Sequence, residues 1–157
     1  MRLMSCDTSG MKTNDFRELL ASFHRHRIEY IIVGSYALAF HGAPHLTGDI
    51  DLFIRPTREN TERILASLDE LRFESLTVSA DDFAKPGNVI QLGVPPTRVD
   101  LITSLTGISW EKADADKVPG RYGDVPVHFI SRDDFIANKK ATGRLKDAVD
   151  LEALDAQ

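Results

Sequence analysis

The sequence predicts an α+β domain in which a small mixed β-sheet is flanked by helices. In the first half of the chain, amphipathic helical segments alternate with short apolar runs rich in β-branched residues. Short strand-like runs then cluster in the middle, before further helical segments near the end. Strands that are first interleaved with helices and later grouped are typical of a mixed sheet with helices on its faces.

The composition is that of one soluble domain. The chain has 157 residues, 42% of them hydrophobic, and a net charge of −5, which fits a single domain with an ordinary core. Residues 1–12 lack periodicity, so we expect a flexible N-terminal tail followed by one domain over residues 13–157. The mild acidity is not the usual footprint of a DNA- or RNA-binding module.

Cysteine content and hydropathy exclude several classes of protein. Cys6 is the only cysteine, which excludes an intramolecular disulfide and a cysteine zinc cluster. No apolar run approaches the roughly 20 residues that cross a bilayer, and the N-terminus lacks the apolar core of an export signal. We therefore expect a cytoplasmic protein with no membrane partner.

The first half of the chain is expected to contain three helices and two strands. The first helix begins at Thr13, because apolar residues then recur at three- and four-residue spacing up to the basic segment 24–27. The apolar run at 30–33 predicts a buried strand that ends at Gly34. The other expected elements are a short helix at 36–40, a loop at 41–45, a strand at 49–54 and a helix at about 58–71 capped by Thr57.

Short strands and the last helices make up the second half. Strands are expected at 73–78, 89–94 and 98–102, with a turn at Pro95–Pro96. The S-x-x-D pattern of Ser131 and Asp134 indicates a helix start. In order, the remaining expected elements are a helix from Ser109 through Ala115, a strand at 125–130, a helix to about Thr142 broken by Gly143, and a helix at 145–154.

Two aspartates on the strand at 49–54 are the first candidate site residues. Because side chains alternate along a strand, Asp49 and Asp51 point the same way, about 7 Å apart along the backbone. Their neighbours Ile50 and Leu52 point oppositely into apolar packing. Two carboxylates in such surroundings are costly unless a cation lies between them, and carboxylate oxygens suit Mg²⁺.

A third acid, Asp100, lies between Val99 and Leu101 on another expected strand. An isolated aspartate among strand-like apolar residues calls for a partner. If this strand pairs beside the one that carries Asp49, three carboxylates converge. Three carboxylates suffice to hold two metal ions about 3.5–4 Å apart, the arrangement used for in-line phosphoryl displacement.

Gly34 and Ser35 are the candidate phosphate-binding residues. They follow a strand and open a helix, so free backbone N–H groups and a positive dipole end are expected there. Glycine lets a phosphate approach the backbone closely, and Ser35 adds a hydroxyl donor. The pattern predicts phosphate at Gly34 and Ser35, and metal at the three acids.

This order of motifs resembles the DNA polymerase β-like nucleotidyltransferase superfamily. The segment GSYALAFHG followed by TGDIDLFI resembles small bacterial nucleotidyltransferases in particular, including abortive-infection type toxins of toxin–antitoxin pairs. The resemblance spans most of residues 29 to 155. It implies a nucleotidyltransferase-like fold with a small mixed sheet and flanking helices, and transfer of a nucleoside monophosphate from an NTP with Mg²⁺, or Mn²⁺ in its place.

The resemblance also assigns roles to the acids. By it, Asp49 and Asp51 would bind metal, with Asp100 as the third ligand and the general base on the acceptor hydroxyl. Thr47, within the same motif, would support the site.

The C-terminal segment resembles the toxin-like group as well. There a helix lysine and a following Arg-x-x-Asp-x-x-Asp segment line the site. Lys139 would contact the triphosphate, since lysine serves as a point charge for phosphate, and Arg144 and Asp147 would support it. The acceptor stays open among RNA, protein and small molecules, and an antitoxin protein is a candidate partner.

The sequence departs from these relatives at two positions. Many of them carry arginine two residues before the threonine and a basic residue just before the first aspartate, where this chain has His45 and Gly48. Fewer positive charges near the phosphates favour a second hypothesis, a nucleotide-binding or partner-binding module that keeps the fold with little or no turnover. A third hypothesis is the modification of a small molecule such as an antibiotic.

Each candidate residue also has a purely structural interpretation. Asp49 and Asp51 could face water on an edge strand, and Asp100 could simply pair with Arg98. Lys139 could be a solvated helix charge, and Arg144 with Asp147 a surface ion pair.

Overall fold

The computed structural model describes residues 2–6, 15–43, 48–73, 79–93 and 98–155. Within these ranges seven strands and seven helices follow one another along the chain. In order they are β1 (Arg2–Cys6), α1 (Asp15–Arg25), β2 (Tyr30–Val33), α2 (Gly34–Phe40), β3 (Ile50–Ile54), α3 (Arg58–Glu70), α4 (Ala80–Ala84), β4 (Asn88–Leu92), β5 (Val99–Ile102), α5 (Trp110–Asp116), β6 (Val118–Tyr122), β7 (Val125–Phe129), α6 (Arg132–Thr142) and α7 (Leu145–Asp155).

The described strands form one mixed sheet in the order β1-β4-β5-β3-β2-β7-β6. β3 runs parallel to β5 and antiparallel to β2, and β7 lies parallel to β2 and antiparallel to β6. Both kinds of pairing occur because helices connect some neighbours and a short turn connects β6 to β7. The predicted α+β class with a mixed sheet is confirmed.

Helices cover both faces of the sheet. Ile50, Leu52 and Ile54 are fully buried on one face of β3, where the neighbouring Tyr30 meets Phe23 of α1 with ring centroids 5.7 Å apart. The opposite face carries Asp51 and Phe53, because side chains alternate along the strand.

On that second face the ring of Phe53 meets Trp110 of α5 edge-on at 5.1 Å. α6 and α7 pack against each other at the same side of the molecule, where residues of both helices share a cavity with the strand acids. No helix in the described ranges combines the length and apolarity that a bilayer span needs.

Local sequence explains most of the helix ends. Thr57, Ser109 and Ser131 each accept a hydrogen bond from the backbone N–H three residues on, the usual N-cap interaction. At the end of α6, Gly143 adopts a left-handed conformation with φ +63, which suits glycine and stops the helix.

The expected flexible tail is the main correction to the fold. Arg2–Cys6 forms β1, paired in parallel with β4. This strand is held by backbone pairing to a sheet edge distant in sequence, which local periodicity does not reveal. The rest of residues 1–12 lies outside the described part of the chain, and the single domain over 13–157 stays a prediction.

Several element boundaries also differ from expectation. β6 and α4 were not expected, and β6 contains Pro119 and Gly120, which are poor strand formers. β4 ends at Leu92 instead of residue 94, before Gly93 with φ +84. Of the strand expected at 73–78, Phe73 is not in a strand, and the remainder, like the turn at Pro95–Pro96, lies outside the described residues.

Candidate functional site

Asp51 and Asp100 lie side by side in the sheet. The parallel register pairs Asp51 of β3 with Asp100 of β5, and Gln91 of β4 is in turn paired with Asp100. Asp100 is only 9% exposed. The three side chains line a cavity of about 680 Å³. β3 is an interior strand, so the alternative interpretation, in which Asp49 and Asp51 face water on an edge strand, is wrong.

Asp49 joins this pair through an arginine. It immediately precedes β3, as Arg98 precedes β5. The Arg98 Nε donates to Asp100 Oδ1 at 2.8 Å, and its Nη2 lies 3.2 Å from Asp49 Oδ2. The alternative pairing of Asp100 with Arg98 is therefore present, and it occurs together with the pairing of Asp51 and Asp100 in one cavity that Asp49 also lines.

The carboxyl groups carry more negative charge than their surroundings neutralise. Burial, the neighbouring Asp100 and, more weakly, Asp49 raise the pKa of Asp51 to about 7, with Lys139 opposing them. Burial also raises the pKa of Asp100, although Arg98 acts against it. A proton shared between Asp51 and Asp100 would relieve the repulsion, and a bound cation would relieve it in the same way.

Gly34 lies directly against Asp51. Its φ of +68 is a conformation that L side chains rarely adopt, and a Cβ built on it would lie 2.2 Å from Asp51 Oδ2. Position 34 therefore requires glycine for both its backbone conformation and its close approach to the acid. Ser35 follows in the first turn of α2 and lines the same cavity.

Lys139 reaches the cavity from α6. It is 8% exposed, and its Nζ lies 3.2 Å from Asp147 Oδ1 and 3.7 Å from Asp150 Oδ2 on α7. The ammonium also lies 5.3 Å from the centre of the Phe135 ring. Lys139 is thus a buried charge held by two acids, and its interpretation as a solvated helix charge is wrong.

Asp147 anchors the turn between α6 and α7. It is fully buried and accepts hydrogen bonds from Arg144 Nε at 2.8 Å and from the Thr142 hydroxyl. Burial raises the pKa of Asp147, but the hydrogen bonds from Arg144, Thr142 and Lys139 outweigh it and hold that pKa well below its usual range. This is not a surface ion pair, although the Arg144 side chain itself is 64% exposed.

The carboxylates of Asp49, Asp51 and Asp100 are the kind of ligand that a hard divalent cation prefers, but their positions do not form a metal site. Carboxylate oxygens without sulfur or imidazole suit Mg²⁺ or Mn²⁺, and burial together with the neighbouring acids raises the pKa of Asp51. In the described ranges, however, no three Asp, Glu, His or Cys side chains stand as a group that could hold a metal ion. Arg98 contacts two of the three acids.

Most predicted site residues meet at one cavity, and their roles in binding or catalysis stay predictions. Asp147 does not line the cavity itself, but it contacts Lys139, which does. Thr47 and His45 lie outside the described residues. The predicted residues that line the cavity are Gly34, Ser35, Asp49, Asp51, Asp100, Lys139 and Arg144.

Sequence reasoning assigned no individual role in the site to three residues. Arg98 was considered only as a structural ion-pair partner of Asp100. Its i, i+2 spacing from Asp100 on a strand already places both side chains on one face. Asp150 follows Asp147 at helical spacing and binds the same lysine. Gln91, a polar residue within the apolar run of β4, lines the cavity beside Asp100.

Two solved structures share this architecture. The lincosamide antibiotic adenylyltransferase LnuA, crystallised with lincomycin, matches with a TM-score of 0.57 and 12% identity over 96% of this chain and 98% of its own. A Thermotoga maritima protein assigned as a nucleotidyltransferase matches with a TM-score of 0.58 and 16% identity over 92% of both chains. These two likenesses show that the chain has a nucleotidyltransferase-like fold. The sequence matches no protein-family model and no curated protein.

Proposed function

We propose that this protein is a metal-dependent nucleotidyltransferase, which transfers a nucleoside monophosphate from an NTP to an acceptor hydroxyl. The observation that carries the proposal is the pairing of Asp51 with Asp100 in adjacent parallel strands, with Gly34 packed directly against Asp51. Buried carboxylates next to a close-approaching glycine suit a metal-bound triphosphate. The likeness to two nucleotidyltransferase folds agrees with it.

In this proposal, metal and phosphate occupy different parts of the cavity. Asp51, Asp100 and Asp49 would hold Mg²⁺ or Mn²⁺, which when bound neutralises charge on the phosphate oxygens and the departing pyrophosphate. Asp49 would bind the metal fully only when Arg98 moves away from it, since their charged groups are 3.2 Å apart.

The phosphates would lie toward Gly34, Ser35 and Lys139, all of which line the cavity. Lys139 is held in place by Asp147 and Asp150, so its ammonium is positioned before the nucleotide arrives. Pre-organised charge of this kind costs no reorganisation during the reaction.

The reaction itself requires a base near the acceptor. The hydroxyl oxygen of the acceptor attacks the α-phosphorus, the bond from that phosphorus to the oxygen bridging to the β-phosphate breaks, and pyrophosphate leaves. Asp100 would accept the hydroxyl proton, and burial favours this because it raises the pKa of that carboxyl.

A transfer assay tests the proposal. The protein is incubated with each labelled NTP, Mg²⁺ or Mn²⁺, and cellular RNA, cellular protein or a panel of small hydroxylated compounds including antibiotics. We expect label transfer that Asp51→Asn abolishes and that Glu62→Gln, a change in an exposed ion pair of α3, leaves intact. The absence of transfer with every NTP and every acceptor class would contradict the proposal.

The acceptor assay also separates the finer hypotheses. LnuA is an adenylyltransferase crystallised with the small molecule lincomycin, which favours a small-molecule acceptor here. Transfer to RNA or protein, together with growth arrest that a neighbouring antitoxin relieves, would instead support the toxin–antitoxin role that the sequence resemblance implies.

A second candidate function is nucleotide binding without turnover. It is favoured by the position of Arg98, which contacts Asp49 and Asp100 where a cation would bind, and by His45 and Gly48 in place of basic residues. Isothermal titration with NTP and Mg²⁺ discriminates. Saturable binding in a protein that transfers no label would support this candidate over the enzyme.

A further inference from the structure

A second cavity opens beside the acid site. Its volume is about 540 Å³, within the range of small-molecule pockets. It lies over the end of β5 and the segment that leads to α5, and Ser104 and Leu105 line both this cavity and the acid cavity. The two cavities are therefore neighbours that share one wall.

The wall of the second cavity is aromatic and apolar. Phe53 and Trp110 meet edge-to-face there, with ring centroids 5.1 Å apart, and Ile108 lies beside them. Trp110 is 6% exposed, and its indole Nε1 has no hydrogen-bond partner within the part of the chain that the structure describes. Such a wall suits the face of a flat ring.

The charges of this cavity do not suit a nucleic acid. Arg55 is the one cationic residue that lines it in the described structure, and its Nη1 donates to both Glu29 carboxylate oxygens at 3.0 Å. Glu111 adds negative charge at the same cavity. RNA binding relies on several lysines and arginines that neutralise phosphates, so an uncharged or cationic ligand fits better.

The spacing of the two cavities matches a small molecule. Ser104 follows Asp100 by four residues, and four residues span at most about 14 Å even when fully extended. A compound of two or three rings bridges that distance. With its flat ring in the second cavity, such a compound can present a hydroxyl to Asp100 across the shared wall.

We propose that the second cavity is the acceptor subsite, and that the acceptor is a small molecule with a flat apolar ring and a hydroxyl group. This inference rests on the proposed nucleotidyltransferase function. One acceptor hydroxyl forms the new bond to the α-phosphorus as the bond to the β-phosphate bridge breaks, its proton passes to Asp100, and pyrophosphate leaves. Trp110 then determines specificity for the acceptor from within the second cavity, and Leu105 does so from the wall that the two cavities share.

The test uses the fluorescence of Trp110, the only tryptophan of the chain. The full-length protein, without nucleotide, is titrated with the phenyl glycosides of glucose, galactose, mannose and xylose, with the matching methyl glycosides, and with an RNA oligonucleotide. We expect a saturable change in Trp110 emission with at least one phenyl glycoside, and none with the methyl glycosides or the RNA.

Matched variants place the response in the cavity. Leu105→Arg is expected to weaken the apparent affinity at least about tenfold. Leu145→Arg, the same change at a site 85% exposed on α7, is expected to leave it unchanged. Thermal melts check folding, and Leu105→Gln replaces Leu105→Arg if the arginine variant does not fold.

The outcomes separate this inference from the proposed function. No emission change with any phenyl glycoside, or a change with RNA alone, overturns the acceptor subsite even if NTP transfer to another acceptor is found. An emission change that Leu105→Arg weakens supports the subsite, even in a preparation that transfers no label. Equal responses of the Leu105 and Leu145 variants also overturn it.

Discussion

Gly34 and Asp51 are packed so closely that no side chain fits between them, since a Cβ at position 34 would lie 2.2 Å from Asp51 Oδ2. The contact joins the residue expected to receive phosphate to an acid expected to hold metal. We predict that Gly34→Ala displaces the Asp51 carboxylate and sharply weakens Mn²⁺ and NTP binding. Isothermal titration measures both.

A matched glycine separates crowding from backbone strain. Gly123 has a similar φ of +59, and nothing lies within 4 Å of its Cβ position. Gly123→Ala should cost only the left-handed backbone penalty of about 1–2 kcal/mol and leave ligand binding unchanged. Equal losses of binding in the two variants would show that the contact with Asp51 has no special role.

The alternation rule predicts that Asp49 and Asp51 share a face, but not that the strand of Asp100 lies beside theirs. The pairing of Asp51 with Asp100 depends on β5 lying parallel beside β3, a contact between segments distant in sequence. For the same reason β1 could not be predicted, because the strand that it pairs with, β4, begins more than eighty residues later. Strand propensity reflects such tertiary surroundings more than local sequence.

Burial of charged residues was equally hard to predict. Lys139 lies near the end of α6, where basic residues usually face solvent and complement the helix dipole. It is buried because α7 turns back after Gly143 and brings Asp147 and Asp150 to its ammonium. The Arg-x-x-Asp-x-x-Asp spacing shows that the acids share a helix face, but not what that face covers.

Arg98 is predicted to compete with metal for the acids. Its guanidinium contacts Asp49 and Asp100, so Arg98→Gln should increase Mn²⁺ affinity while lowering the melting temperature in metal-free buffer. Electron paramagnetic resonance of free Mn²⁺ measures the affinity. Arg55→Gln, which removes another arginine–carboxylate pair, is the control and should leave Mn²⁺ affinity unchanged. Weaker Mn²⁺ binding in Arg98→Gln would instead make Arg98 part of the binding site.

Asp147 is predicted to be the most important single side chain for the α6–α7 pair. Asp147→Ala leaves Lys139 buried with only the more distant Asp150, and breaking a buried ion pair in this way costs about 3–5 kcal/mol. Denaturant unfolding measures the loss. Glu62→Ala, which breaks an exposed pair with Arg58, should cost less than about 1 kcal/mol. A loss of that small size for Asp147→Ala would contradict the buried arrangement.

The stability of the metal-free protein should fall between weakly acidic and neutral pH because of Asp51. Below its unfolded pKa of 3.8 the carboxyl is protonated in both states. As pH rises toward the folded pKa of about 7, the unfolded chain releases its proton while the folded chain keeps it. The free energy of unfolding therefore decreases across this window by as much as about 4 kcal/mol and then levels off.

Urea unfolding at a series of pH values, without metal and with saturating Mg²⁺, tests this dependence. Asp51→Asn should flatten the decline, because an amide does not titrate, whereas Glu62→Gln should keep it. Mg²⁺ should restore stability most near neutral pH, since a cation that binds Asp51 must displace its proton. A Mg²⁺ effect of the same size at every pH, or a decline that Asp51→Asn leaves intact, would show that neither the proton nor the metal is held at Asp51.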